Sequence, residues 1–370
     1  MKLNLNKQTS INSKRLIILF FILSLIVTIF VTTINFIVDP YGFYDKNNLS
    51  RQKINIGIPA TFKTTLLANG NFDAIMLGTS RIGVMDPIIV NDYLNANTFN
   101  LSYPGSNTEI QNKLFKYAHY YNPSLKYLIY SIDFMSFNAN RDKSGFKEFY
   151  DLKRKIEKFE KINNYLYFNS SLFVKSIKLI LSKQAVDTMY LSNGMRDYAN
   201  YIKDLENGKF DLDDKIKREI DSYFAPNGTY RKYKFSNEFL NYFKDMLEYC
   251  KKHNIKVFLY IPPMYSKHFD AIYMNNLYDE FELFKKELVK ISNFIDFTGH
   301  NTISKNKNNY WDSSHLRRET TQIIMARIFN DKSVEVPDDF GVLVTKDNIE
   351  EHLSNLRKQI NFHDSNKNNR

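Results

Sequence analysis

The chain has a single cysteine, Cys250, among 370 residues. No intramolecular disulfide can form, and no cysteine-based metal site can exist. Cys250 lies in the helical pattern FLNYFKDMLEYCKKH and reads as a buried core thiol. No nucleic-acid motif is present and the basic residues are scattered, so nucleic acid is not expected as a partner. There is no internal repeat. His119, His253, His268, His300, His352 and His363 show no spacing that suggests a metal, and no cofactor is expected.

What is present is a long, apolar-rich and basic chain. Hydrophobic residues make up 43%, which supports a sizeable core and excludes global disorder. The formal charge of +11 favours anionic neighbours such as lipid headgroups or polyanionic polymers.

Leu16 to Val38 reads LIILFFILSLIVTIFVTTINFIV, without a charge. Crossing a hydrocarbon core takes roughly 20 residues. No small-x-small cleavage site follows; the run continues into NFIVDPYGFYD, which predicts an uncleaved signal anchor. Lys2, Lys7, Lys14 and Arg15 precede the span with no acid among them, and Lys46, Arg51 and Lys53 follow it. The charges abutting the span predict a cytoplasmic tail over 1–15 and an extracytoplasmic remainder. No second span of this quality occurs.

Beyond the anchor, β-like runs alternate with helical patterns. FDAIMLG (72–78), TFNLS (98–102), KYLIYSI (126–132), KVFLYIP (256–262) and NFIDF (293–297) are candidate strands. They are continuous apolar runs, as strands buried on both faces require. NTEIQNKLFKYAHYY, NEFLNYFKDMLEYCKKH and NLYDEFELFKKELVKIS carry apolar residues at helical spacing. This alternation predicts an α/β fold: a five-stranded, mostly parallel sheet between two helical layers over 39–335. The stretch 134–232 interrupts the rhythm and reads as a helical insertion, a cap over the site. Residues 336–370 read as a C-terminal extension ending in a disordered tail, HDSNKNNR.

Ligands of open parallel sheets bind beyond the carboxyl ends of the strands. The first strand leaves through LGTSRIG, with Ser80 and Arg81; the second through NLSYPGSN, with Gly105 and Asn107; the third through SIDFMSFN, with Asp133 and Asn138. YWDSSH, with Asp312 and His315, precedes the last helix of this region. A serine nucleophile needs a base, and a histidine base needs an acid to fix its tautomer. Ser80, His315 and Asp312 supply that set, while the amides of Ser80 and Gly105 are candidate oxyanion donors. Each residue also has a plainer role open to it. Ser80 can be a turn residue, Asp312 a helix N-cap, His315 a first-turn surface residue and Gly105 a turn glycine. Trp311 and the tyrosines can line a glycan site or pack in the core.

GTS after the first strand, PG after the second and D-x-x-H before the final helix together resemble the SGNH (GDSL-like) hydrolase superfamily over about residues 70–330. With the anchor, VDPYGFYD, LGTSR and DDFGVLVTKDNIEEHL, the chain looks closest to the membrane-anchored branch. That branch includes the D-alanine transfer protein of teichoic-acid modification and the alginate-type O-acetylation proteins. The resemblance implies a Ser80–His315–Asp312 triad, and an acyltransferase or esterase acting on acetyl or D-alanyl groups of a cell-surface polymer. It also implies a possible membrane-bound O-acyltransferase partner. One position departs from the superfamily pattern: Asp133 stands where asparagine serves as an oxyanion donor, and a carboxylate there would repel an oxyanion. Asp133 is then expected to pair with Arg81, leaving Asn107 or Asn138 as the third donor, or only two donors. Two other readings stay open: a non-catalytic accessory subunit that binds the polymer or an acyltransferase, and a lipid esterase.

Overall fold

A computed structural model describes residues 2–39, 63–64, 66–68, 70–141, 170–181, 190–230 and 232–367. The charged helical pattern expected over 145–168, and the positive residues that follow the span, lie outside the described residues. The chain divides into two compact units, Met1–Ile58 with Glu148–Thr188 and Pro59–Lys147 with Met189–Arg370.

In the first unit, helix α1 (Lys2–Val38) contains an apolar stretch, Ser13–Val38, of mean hydropathy 2.9. It is long and apolar enough to cross a membrane or to serve as a signal sequence. Its last turns pack against a helix at Ser170–Leu181, where the Ser176 hydroxyl donates to Asn35 Oδ1 at 2.8 Å.

The second unit is an α/β structure with a six-stranded mixed sheet of order β2-β1-β3-β4-β5-β6. The strands are β1 (Ala74–Leu77), β2 (Thr98–Asn100), β3 (Tyr127–Ser131), β4 (Lys256–Ile261), β5 (Phe294–Asp296) and β6 (Val342–Val344). The first five are parallel and lie within the five expected runs; all four residues of β1 are buried. The sixth strand corrects the expected count. It comes from the C-terminal extension and pairs antiparallel with β5. With three residues, two of them exposed, it carries neither an alternating nor a continuous apolar signal.

Side chains close the first turns of some of the helices. In α4 (Thr108–Tyr121), Asn107 Oδ1 accepts from Ile110 N; in α8 (Asn237–Lys252), Ser236 Oγ accepts from Phe239 N. Helix α8 buries Phe239, Phe243, Met246 and Cys250 on one stripe and packs on α4 and β4. Burial pushes the Cys250 thiol up to about 12, so it is an inert core group. Helix α3 (Pro87–Leu94) packs on β2 and on α11 (Thr321–Phe329). Helix α12 (Ile349–Lys367) continues through the first part of the tail expected to be disordered.

Register decides where the loops emerge. Met76 lies beside Asn100 and Leu77 beside Tyr130, so β1, β2 and β3 end next to one another. The Tyr103 amide donates to the Gly78 carbonyl at 2.9 Å, which ties the β2 exit loop to the β1 exit loop.

Candidate active site

Gly78 opens the turn after β1 with φ +151, and a Cβ there would lie 2.7 Å from the Ser131 carbonyl oxygen. Only glycine lets β1 and β3 stay this close at the turn. Thr79 caps the short helix α2 (Ser80–Gly83), so Ser80 begins a helical turn with a half-buried side chain. Its hydroxyl lies 2.7 Å from His315 Nε2, across 235 residues of sequence.

His315 is held from its other side. Its Nδ1 lies 2.8 Å from Asp312 Oδ2, and Asp312 Oδ1 accepts from the amides of Ser314 (2.9 Å) and His315 (2.8 Å). An ionised carboxylate only accepts, so Nδ1 carries the proton and Nε2 is left to accept from the Ser80 hydroxyl. Burial alone would raise the Asp312 carboxyl. The His315 imidazole and the two amides overcome it and hold the group well below the usual carboxylate range. Asp312 therefore stays ionised beside a histidine that can take up a proton.

The D-x-x-H segment precedes the helix, and it forms neither the helix cap nor its first turn. Tyr310 and Leu316 pair as an antiparallel bridge, and Trp311 N donates to His315 O at 2.9 Å. Asp312 thus closes a tight loop. The helical region starts only at Arg318, with a single 3-10 turn before α11. Asp312 and His315 are 8% and 9% exposed, so neither is a surface cap. Trp311 is buried and stacked on Tyr198 at 4.7 Å, a packing role and not an open sugar platform.

Arg81 and Asp133 meet as expected, Nε to Oδ2 at 3.4 Å. Asp133 also accepts from the Thr79 hydroxyl at 2.8 Å and from the Met135 amide at 3.2 Å. Asn138 is committed to bracing backbone: Nδ2 donates to Thr229 O, and Oδ1 accepts from Asn140 N and Lys234 N. One of its two amide hydrogens is thereby committed to Thr229 O. Asn107 differs, because capping α4 uses only its oxygen. Its Nδ2 is buried and has no partner among the described residues. Leaving such a donor unpaired costs about 1–3 kcal/mol. Gly105 sits in the loop tied to Gly78, at φ +68, with its carbonyl accepting from Arg141 Nε at 2.6 Å.

Four neighbours were not singled out from sequence. Glu219, on α7 (Leu212–Phe224), accepts from both the amide and the hydroxyl of Ser313 at 2.7 Å each. Fully buried His268 lies 2.8 Å from Ser313 Oγ through Nδ1 and 3.3 Å from the Tyr230 hydroxyl through Nε2. Tyr230 in turn accepts from Arg81 Nη2 at 3.4 Å, while Tyr223 contacts Ser314 at 3.3 Å. The one legible signal is spacing: Leu212, Ile216, Glu219 and Tyr223 fall on a single helical stripe, which puts a carboxylate on the inward face.

The ligand-type atoms of Glu219, Asp312 and His315 lie within 4.8 Å of one another. Both ring nitrogens of His315 are already engaged by Asp312 and Ser80. No protein-family model matches the chain, and no curated protein matches it in sequence.

Proposed function

We propose that this protein is a membrane-anchored acyltransferase or esterase with an SGNH-like, three-layer α/β/α domain, using Ser80 as nucleophile, His315 as base and Asp312 as orienting acid. The carrying observation is the continuous chain Ser80 Oγ–His315 Nε2–Asp312 Oδ2, at 2.7 and 2.8 Å. His315 takes the Ser80 proton as the oxygen attacks an acyl carbonyl, then returns it to the leaving group. Asp312, kept ionised, stabilises the imidazolium. The amides of Ser80 and Gly105, with the unpartnered Asn107 Nδ2, receive the developing oxyanion.

The arrangement of helices around a largely parallel sheet supports the fold reading. Support for the anchor is the apolar Ser13–Val38 stretch, and the Lys14–Arg15 pair at its start supports a cytoplasmic N-terminus. The substrate in this reading is an O-acyl group, acetyl or D-alanyl, on a cell-surface polysaccharide or teichoic acid. A membrane-bound O-acyltransferase would supply or share the acyl group.

The test treats the full chain in detergent with a fluorophosphonate and locates the adduct by mass spectrometry. An adduct on Ser80, absent in Ser80→Ala, is expected, together with loss of polymer acylation in Ser80→Ala cells. Normal acylation in those cells, with loss in deletion cells, would instead establish an accessory subunit.

A further inference from the structure

Beneath the Ser80–His315–Asp312 chain runs a second polar chain, whose direction follows from proton counting. Glu219 Oε2 accepts both the amide and the hydroxyl proton of Ser313. Having given its only hydroxyl proton away, Ser313 Oγ must accept from His268 Nδ1. His268 Nε2 then carries a lone pair and accepts from the Tyr230 hydroxyl, which itself accepts from Arg81 Nη2. The line runs from a buried guanidinium to a carboxylate, every link pointing the same way. Burial first, then the Arg81 charge, keep His268 neutral, as a link that both donates and accepts requires.

This line meets the site at the 312–315 turn. Ser313 lies between Asp312 and Ser314, the residue whose amide Asp312 holds. Glu219 grips that turn from α7, and its carboxylate lies within 4.8 Å of the ligand-type atoms of Asp312 and His315. The other titrating groups that feel Glu219 are Lys215, Tyr198, Tyr201 and Tyr223. Only Lys215 among them is cationic, and its ammonium sits over the Tyr201 ring at 3.6 Å, not in an ion pair. Among the described residues no Lys or Arg forms an ion pair with Glu219; burial and then the Asp312 charge raise its carboxyl, while His315 and the Ser313 amide and hydroxyl favour its ionised form.

We propose that Glu219 is a positioning residue for the Ser80 reaction: through Ser313 it sets the 312–315 turn, and its charge adds to that of Asp312 in stabilising the His315 imidazolium. When the Ser80 proton moves to His315 Nε2, the new cation faces two carboxylates, Asp312 from its own loop and Glu219 from α7. The segment carrying α7 is thereby part of the reacting centre. The inference rests on Ser80 being the nucleophile.

The test follows the rate of Ser80 labelling by a fluorophosphonate from acid to alkaline pH, on the full chain in detergent. The variants are Glu219→Gln, Ser313→Ala and the double variant, with thermal melting as a check on folding. Glu219→Gln is expected to slow labelling on the order of tenfold and to move the half-maximal pH downward, because one anion beside the base is lost. Ser313→Ala, which keeps the turn amide, is expected to slow labelling less. The double variant should be slower than the wild-type chain by less than the product of the two single effects. Labelling of Glu219→Gln at the wild-type rate and half-maximal pH overturns the proposal and leaves Ser80 as nucleophile. So does slower labelling with an unmoved pH profile and multiplicative effects, which marks a purely structural residue. Failure to label the wild-type chain removes both this inference and the nucleophile assignment.

Discussion

Arg81 and Asp133 form a salt bridge whose side chains are 3% and 0% exposed, one residue after Ser80 and two after the end of β3. The pair cross-links the exits of two neighbouring strands. Removing one partner leaves a charge that water cannot reach. Asp133→Ala is therefore expected to destabilise the chain by about 3–5 kcal/mol, as breaking a buried pair does. Asp133→Asn keeps an acceptor for Thr79 and Met135 and should cost less. Unfolding midpoints for the two variants check the order, and an Asp133→Ala change under about 1 kcal/mol would show that Arg81 finds another anion.

Replacing the acid of the Ser80 chain tests the tautomer. An asparagine amide in place of the Asp312 carboxylate could donate to His315 Nδ1 and push the proton onto Nε2, where it would oppose the Ser80 hydroxyl. Asp312→Asn is expected to lower the Ser80 acylation rate about 10⁴-fold. A loss below tenfold would mean that Asp312 only closes its loop.

Acid should unfold the protein through identifiable carboxylates. Burial opposes ionisation of Asp296, but Lys285 Nζ at 2.6 Å and His352 Nε2 at 2.8 Å hold it well below the usual range. Asp312 is depressed in the same direction. A group with a lowered folded pKa contributes stability that is present above its unfolded value, near 4, and lost as pH falls. Burial raises Glu219, which acts with the opposite sign and offsets part of the loss. The melting temperature is expected to start falling below about pH 6.5, where the unfolded chain takes up a proton that buried, neutral His268 does not, and to drop steeply below about pH 4. A flat curve down to pH 3 would contradict the buried Asp296 pair.

Two glycines allow a matched comparison. Gly194 and Gly208 have φ +79 and +67, but a Cβ at Gly194 would lie 2.3 Å from the Asn100 carbonyl oxygen, whereas nothing lies within 4 Å at Gly208. Both alanine variants carry the backbone penalty of about 1 kcal/mol. Gly194→Ala must also displace backbone at the end of β2, and should lower the melting temperature by several degrees more. Equal shifts would mean that the 190–196 turn moves freely away from β2.

The parts legible in sequence were those fixed by short-range patterns. Five apolar runs marked the parallel strands, and Ser80, Asp312 and His315 could be placed because strand exits converge in such sheets. Glu219, His268 and Tyr230 were hidden, because their partners lie 94, 45 and 149 residues away, at Ser313, Ser313 and Arg81. A helix-cap role for Asp312 stays open in the sequence, since an Asx-closed loop and an N-cap draw on the same side-chain chemistry. β6 leaves no legible signal, because its edge position buries only Val344 of its three residues.

The 235 residues between Ser80 and His315 also set an order of events during synthesis. A ribosome makes the hydroxyl long before the imidazole that lies against it. Until the chain has grown past Leu316, whose bridge to Tyr310 closes the loop, Ser80 is an ordinary alcohol. A truncated product lacking that last portion would carry Ser80 without the imidazole that lies against its hydroxyl.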